Sequence, residues 1–304
     1  MSTSSSPAST PPRSPLNSIG RGVRALLTWL IKKPKQAVVF IIALLVIFFA
    51  ASTWLNFQAV KKPISTATEQ WSFEVKSGDS LQSVARRLKE KDIIRRAKPL
   101  VTYAKYTRNA RNIQAGEYLI DGSQSPQDIL TMMTEGRVRM HQVTFVEGWT
   151  AQQILAALSA HSAIKYTLGD ISTSELGHAV GMAGDQNLEG WIYPDTYRFY
   201  KGDTDIKLLT EAHKRMKQKL DEAWSTKQDH LPFENPYQVL ILASIVEKET
   251  GVDDERPRIA GVFIERINKG MRLQTDPTVI YGLGESFDGN LTRRDLESDT
   301  PYNT

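Results

Sequence analysis

The chain has 304 residues, 40% of them hydrophobic, enough for one large or two modest globular domains beside a membrane segment. Of its net charge of +4, six cations without an acid (Arg13, Arg21, Arg24, Lys32, Lys33 and Lys35) lie in the first 35 residues. The rest is left at −2, which argues against a nucleic-acid partner. There are no cysteines, hence no disulfides or thiolate metal sites, and the five histidines lack metal-ligand spacing, so neither a metal nor another cofactor is expected.

Residues 2–18, STSSSPASTPPRSPLNS, are too poor in apolar groups to form a core and read as disordered, part of a basic tail over 1–36. Val23 to Ile31 has the character of a segment lying along a membrane surface, ended by Pro34. From Ala37 to Leu55 run 19 uncharged residues, which at about 1.5 Å each span about 28 Å, close to the roughly 30 Å of a bilayer core. This predicts a single transmembrane helix over 37–56. A cleaved signal peptide is the competing reading, but the run exceeds an ordinary h-region and no small-x-small site follows. Six cations precede the span and only Lys61 and Lys62 closely follow it. The tail is therefore placed in the cytoplasm, and the remainder outside a cytoplasmic (inner) membrane, in the periplasm.

Past the span, alternating Trp71, Phe73 and Val75 read as a strand leading into an SGDSL turn. Asp79 and Gln82 make a capping box, and Leu81, Val84, Ala85 and Leu88 form the stripe of a helix. A second strand is predicted from Gly116 to Ile120, and a helix from Ser125 to Glu135. HQVTFVEGWTAQQILAAL then repeats the motif: a strand from Gln142 to Val146, a Glu-Gly turn, and a helix with Thr150 and Gln153 as cap and partner. The predicted fold is α+β, with a small module over 70–140 and a mixed α/β domain over 141–304.

LEGWIYPDTYRFY (188–200) interleaves aromatics with Glu189, Asp195 and Arg198, an arrangement suited to stacking on sugar rings. Taken alone, the segment favours a strand and turn whose Trp191, Tyr193, Tyr197 and Tyr200 are partly core. A long polar helix follows, from Asp205 to Lys227.

NPYQVLILASIVEKETG (235–251) reads as an apolar helix ending in acid. Asn235 caps it, Pro236 fits the first turn, and Gly251 suits a left-handed close. Leu240, Ala243 and Ser244 share a face with Glu247. If that face is buried, desolvation and the negative end of the helix dipole both raise the Glu247 pKa from about 4.3, as a general acid requires. Glu249 points about 200° away and cannot pair with it on this helix. An ordinary amphipathic helix with a solvated acidic end fits the same residues. Beyond it, Asp253 or Asp254 caps a helix to Lys269 with Ile259, Val262, Phe263 and Ile267 inward and Gly270 closing it. A short strand then precedes Gln274, Thr275 and Asp276, held in a turn by Pro277. That turn either brings polar side chains over the Glu247 helix or is structural.

Taken together, SIVEKET (244–250), RLQTDPTVIYG (272–282), EGWIYPDTY (189–197) and PYNT (301–304) resemble the YceG-like family, the endolytic murein transglycosylases of the MltG type. The resemblance runs from about residue 37 onward. It implies that Glu247 is the catalytic acid and that FEVKSGDSLQSVARRL belongs to a LysM-like glycan-binding module. It also implies cleavage of the β-1,4 bond between N-acetylmuramic acid and N-acetylglucosamine in peptidoglycan strands, leaving 1,6-anhydro ends, and association with peptidoglycan synthases at the inner membrane. Glu189, Tyr193, Asp195, Tyr197, Gln274, Asp276, Tyr302 and Asn303 are the candidates for holding the glycan. Family members continue past YNT, which implies a catalytic domain incomplete at Thr304. Two other readings stand beside this one: a hydrolase using Asp276 or Glu189 as a second carboxylate, and a non-catalytic membrane-anchored glycan-binding scaffold.

Overall fold

The computed structural model describes residues 34–65, 69–169, 171, 173–182 and 187–304. The disordered stretch predicted over 2–18 and the surface segment over 23–31 lie outside them. The chain divides into two compact units at Arg137/Val138. Together they mix helices with two two-stranded antiparallel sheets.

The first unit opens on α1 (Pro34–Lys61), the one candidate span among the described residues. Strand β1 (Gln70–Val75) pairs antiparallel with β2 (Gly116–Asp121), with Phe73 opposite Tyr118. Between them lie α2 (Leu81–Glu90) and α3 (Ala97–Tyr106), and α4 (Pro126–Thr134) follows. The cap of α2 is Ser80, which accepts from Ser83 N, and not Asp79. Asp79 instead pairs with Arg87 and accepts from Lys76 N, holding the turn. Leu81, Val84, Ala85 and Leu88 are all buried, as the stripe predicted. Burying such a stripe, at about 25 cal/mol per Å² of apolar surface, is what makes a ten-residue helix stable.

The second unit begins with β3 (Met140–Phe145) and α5 (Ala151–Ala160), capped reciprocally by Thr150 and Gln153. After α6 (Thr173–Ala179), β4 (Asp195–Tyr200) pairs antiparallel with β3, and α7 (Asp205–Ser225) follows. One apolar core lies here, around Phe145, Leu158, Leu188, Tyr197, Phe199 and Leu208. Asp205 is wholly buried and accepts from the Thr167, Leu168 and Ile206 amides. Burial pushes its pKa up, but those bonds outweigh it and hold the carboxyl below the ordinary Asp value.

A smaller second core joins α8 (Pro236–Glu249) to α9 (Arg256–Asn268) through Leu242, Ile245, Val246 and Phe263. α10 (Asp276–Leu283) and α11 (Arg293–Glu297) complete the chain. Several expectations are corrected here. Gly251 is not left-handed: Thr250 ends α8 in extended backbone, and its hydroxyl donates to Glu255. Neither Asp253 nor Asp254 caps α9, which is entered through a 3-10 turn (Asp253–Glu255). Val262 is exposed, because α9 meets α8 through the Phe263 side alone. No strand forms over 271–275, and Asp276 and Pro277 open a helix, the first-turn role that suits a residue without an N–H.

Candidate active site

Helix α8 is set by its ends. The Asn235 side chain accepts from Gln238 N at 3.2 Å, and Pro236 occupies the first turn. Leu242, Ile245 and Val246 then fix which face goes inward. Glu247 lies beside that face with 28% of its side chain exposed. Its companions Leu240, Ala243 and Ser244 share an open face: Ala243 and Ser244 are exposed and Leu240 is half-buried, a correction to the burial the sequence suggests.

One guanidinium holds the Glu247 carboxylate. Arg256, at the start of α9, places its Nη2 3.0 Å from Oε2 and 3.3 Å from Oε1, and its Nη1 2.9 Å from Asp253. The turn between β3 and α5 approaches from another side. Lys248 Nζ donates to Gly148 O at 3.2 Å. Gly148 is left-handed (φ +73°), and a Cβ there would lie 3.2 Å from Lys248 Cδ and 3.8 Å from Glu247 Cγ. Only glycine supplies both the backbone angle and the room.

Three residues past Gly148, the Ala151 amide donates to Glu189 Oε2 at 3.0 Å. Burial pushes the Glu189 pKa above the ordinary Glu value, against the lowering effect of bonds from Ala151 and Gly190. Tyr281 is pushed up to about 12, by burial first and then by Glu189, Tyr302 and Tyr237. Trp191 stacks flat on Tyr237 of α8, ring centres 5.5 Å apart, and Tyr281 meets Tyr302 edge-on at 5.2 Å.

The four sequence motifs are therefore joined within the second unit. Glu249 accepts from the Thr275 hydroxyl at 2.9 Å, tying SIVEKET to QTDPT. Gln274, left-handed at φ 54°, donates its amide to Thr304 O at 2.8 Å and accepts from Arg266, which ties QTDPT to YNT. A Cβ at Gly282 would meet Tyr302 at 2.9 Å, so that glycine makes the seat for the tyrosine.

The other predicted residues have scaffold contacts. Tyr197 is 2% exposed and donates to Tyr193 O, so it belongs to the core. Asp195 pairs with Arg215 of α7 at 2.6 Å, and that guanidinium also covers the Tyr193 ring. Asn303 donates to Leu296 O and Ser298 O, clipping the segment after α11. Asp276 is exposed at the start of α10. Arg256, Lys248, Tyr237 and Tyr281 escaped the sequence reading as site residues, and Gly148 was read only as part of a Glu-Gly turn. Lys248, Tyr237 and Tyr281 lie inside stretches that reading singled out, whereas Arg256 carried no local signal.

Compared with known families, residues 73–304 match the YceG-like family. The chain belongs to that family. The endolytic murein transglycosylase of Bacillus subtilis (strain 168) is 28% identical over 249 residues, covering 77% of this chain and 68% of that protein. That of Streptococcus pneumoniae serotype 2 is 27% identical over 302 residues, 87% of this chain; the chain spans 54% of that relative's length. A YceG-like protein of Listeria monocytogenes, of known crystal structure, is 28% identical over 77% of this chain and 82% of its own, with a TM-score of 0.43.

Proposed function

We propose that this chain is a membrane-anchored endolytic peptidoglycan transglycosylase acting through Glu247. The reading is carried by one observation: in a member of the YceG-like family, Glu247 is the carboxylate at the open end of α8 where the Gly148 turn and Arg256 converge. Relatives bearing the endolytic murein transglycosylase name support it.

The chemistry needs one carboxyl that serves twice. As acid, Glu247 gives its proton to the glycosidic oxygen between N-acetylmuramic acid and N-acetylglucosamine while the bond to the muramyl C1 breaks. The sugar's own C6 hydroxyl then forms the new bond to C1, and the Glu247 carboxylate takes the hydroxyl proton. No water is consumed, and a 1,6-anhydromuramyl end remains. Arg256 holds the carboxylate in place between the two steps. The Tyr281 hydroxyl, the Glu189 carboxyl and the Trp191–Tyr237 stack form the wall on which glycan rings are held.

In this reading α1 is a single-pass inner-membrane anchor with a cytoplasmic tail and a periplasmic remainder. The first unit is a LysM-like glycan-binding module, and the enzyme works beside peptidoglycan synthases on newly made strands. The test is to incubate the full chain, in nanodiscs, with purified peptidoglycan and to identify released ends by mass spectrometry. Anhydromuramyl ends are expected. Reducing ends would replace the reading with a hydrolase, and no cleavage with retained glycan binding would favour a scaffold.

A further inference from the structure

The end of α1 is covered on one side before its apolar run is over. Thr53, Asn56 and Phe57 are half-buried and Val60 is fully buried, spaced as one helical stripe, while Trp54 and Leu55 between them stay more than half exposed. The cover comes from α3 and α4, and on the α3 side Phe57 meets Tyr103 and Tyr106 edge-on, ring centres 5.4 and 5.0 Å apart. A bilayer core takes roughly 20 helical residues, so a span that begins at Val38 leaves the hydrocarbon near Phe57. The two tyrosines that enclose Phe57 therefore sit at the boundary of hydrocarbon and headgroups, where amphipathic rings are favoured.

Charge agrees with this placement. Between Ala97 and Gly116 every charged residue is a cation, and those nearest Tyr106 (Lys105, Arg108 and Arg111) are exposed, as is 73% of Tyr106 itself. The folded chain outside the tail is net negative, so this basic segment is a local feature that the overall charge conceals.

We propose that the end of α3 and the loop to Asn112 form a membrane-resting foot: Tyr106 inserts at the interface, and Lys105, Arg108 and Arg111 engage anionic phospholipid headgroups. The first unit is then fixed to the bilayer surface at two points, its anchor and this foot, and does not swing on a tether. The proposal rests on the reading of α1 as a span.

The chain has no cysteine, so single cysteines can be spin-labelled in the full-length protein in vesicles of phosphatidylcholine with phosphatidylglycerol. Ile47→Cys reports the span, Tyr106→Cys the foot, and Arg86→Cys, at an exposed position of α2, serves as the comparison within the same unit. Accessibility to a water-soluble nickel relaxant at position 106 is expected to be roughly threefold or more below that at 86, and to rise when phosphatidylglycerol is omitted. Adding Lys105→Ser, Arg108→Ser and Arg111→Ser should raise it as well. A label at 106 as water-accessible as that at 86, with 47 immersed, would overturn the foot and leave the span standing. A water-accessible 47 would instead remove the span. Immersion of 106 that ignores both lipid charge and the three serines would overturn the headgroup contact.

Discussion

β1 and β3 bury the same alternate positions, and each passes through a left-handed glycine into a ten-residue helix capped by a hydroxyl. Their surroundings differ. A Cβ at Gly78 (φ +83°) would meet nothing within 4 Å, whereas at Gly148 it would meet Lys248 and Glu247. In the first unit the turn is closed by its own helix, through Asp79 and Arg87. In the second, a carboxylate 38 residues away, Glu189, takes the first helical amide. The same local code thus makes a plain structural unit in one place and a wall of the candidate site in the other. What the turn touches decides which.

The largest effect that would separate the two turns comes from alanine at each glycine. Both Gly78→Ala and Gly148→Ala carry a left-handed penalty of about 1–2 kcal/mol, visible in thermal melts. Only Gly148→Ala should also slow release of glycan fragments, by about tenfold or more, because its Cβ crowds Lys248 beside Glu247 and strains the turn that packs there. Equal activities in the two variants would break the comparison.

Glu189→Ala should destabilise the chain by about 1–2 kcal/mol by leaving the Ala151 amide unpaired, a cost with no counterpart in the first unit. Glu189→Gln keeps an acceptor and tests the burial. Because the folded pKa is raised, the stability that Glu189 contributes is full below its ordinary value of 4.5 and is lost as pH rises through the folded value. Melting temperatures of wild type and Glu189→Gln should therefore coincide near pH 4 and diverge in favour of Gln toward pH 8. Smallest are the caps: Ser80→Ala and Thr150→Ala should each cost about 1 kcal/mol in denaturant unfolding, with no loss of cleavage beyond that explained by stability.

The sequence reading was strongest where structure is local. Period-two alternation located β1 and β3, and polar caps with apolar stripes located α2, α5 and α8 to within a residue or two, although the α2 cap is Ser80 and not the Asp79 expected. It failed where a side chain's neighbour is distant in the chain. Nothing near Glu247 announces that Arg256 folds back onto it across a 3-10 turn, or that Gly148 is seated against it. Alternation in DTYRFY does put Tyr197, which is core, and Tyr200, which is about half exposed, on opposite faces, and grouping both as partly core passed over it. Pro277 was read as fixing a turn when it opens a helix, since both uses exploit the same fixed φ.

The central claim is that Glu247, and not its neighbour Glu249, carries the proton. Glu249 accepts from Thr275 and serves the packing of α8 on α10. The direct test compares Glu247→Gln with Glu249→Gln in the full chain on purified peptidoglycan, counting anhydromuramyl ends by mass spectrometry and checking folding by thermal melt. Glu247→Gln is expected to remain folded and lose at least about a hundredfold in rate, with Glu249→Gln retaining most of the activity. A folded Glu247→Gln that still releases anhydromuramyl ends at the wild-type rate would contradict the account.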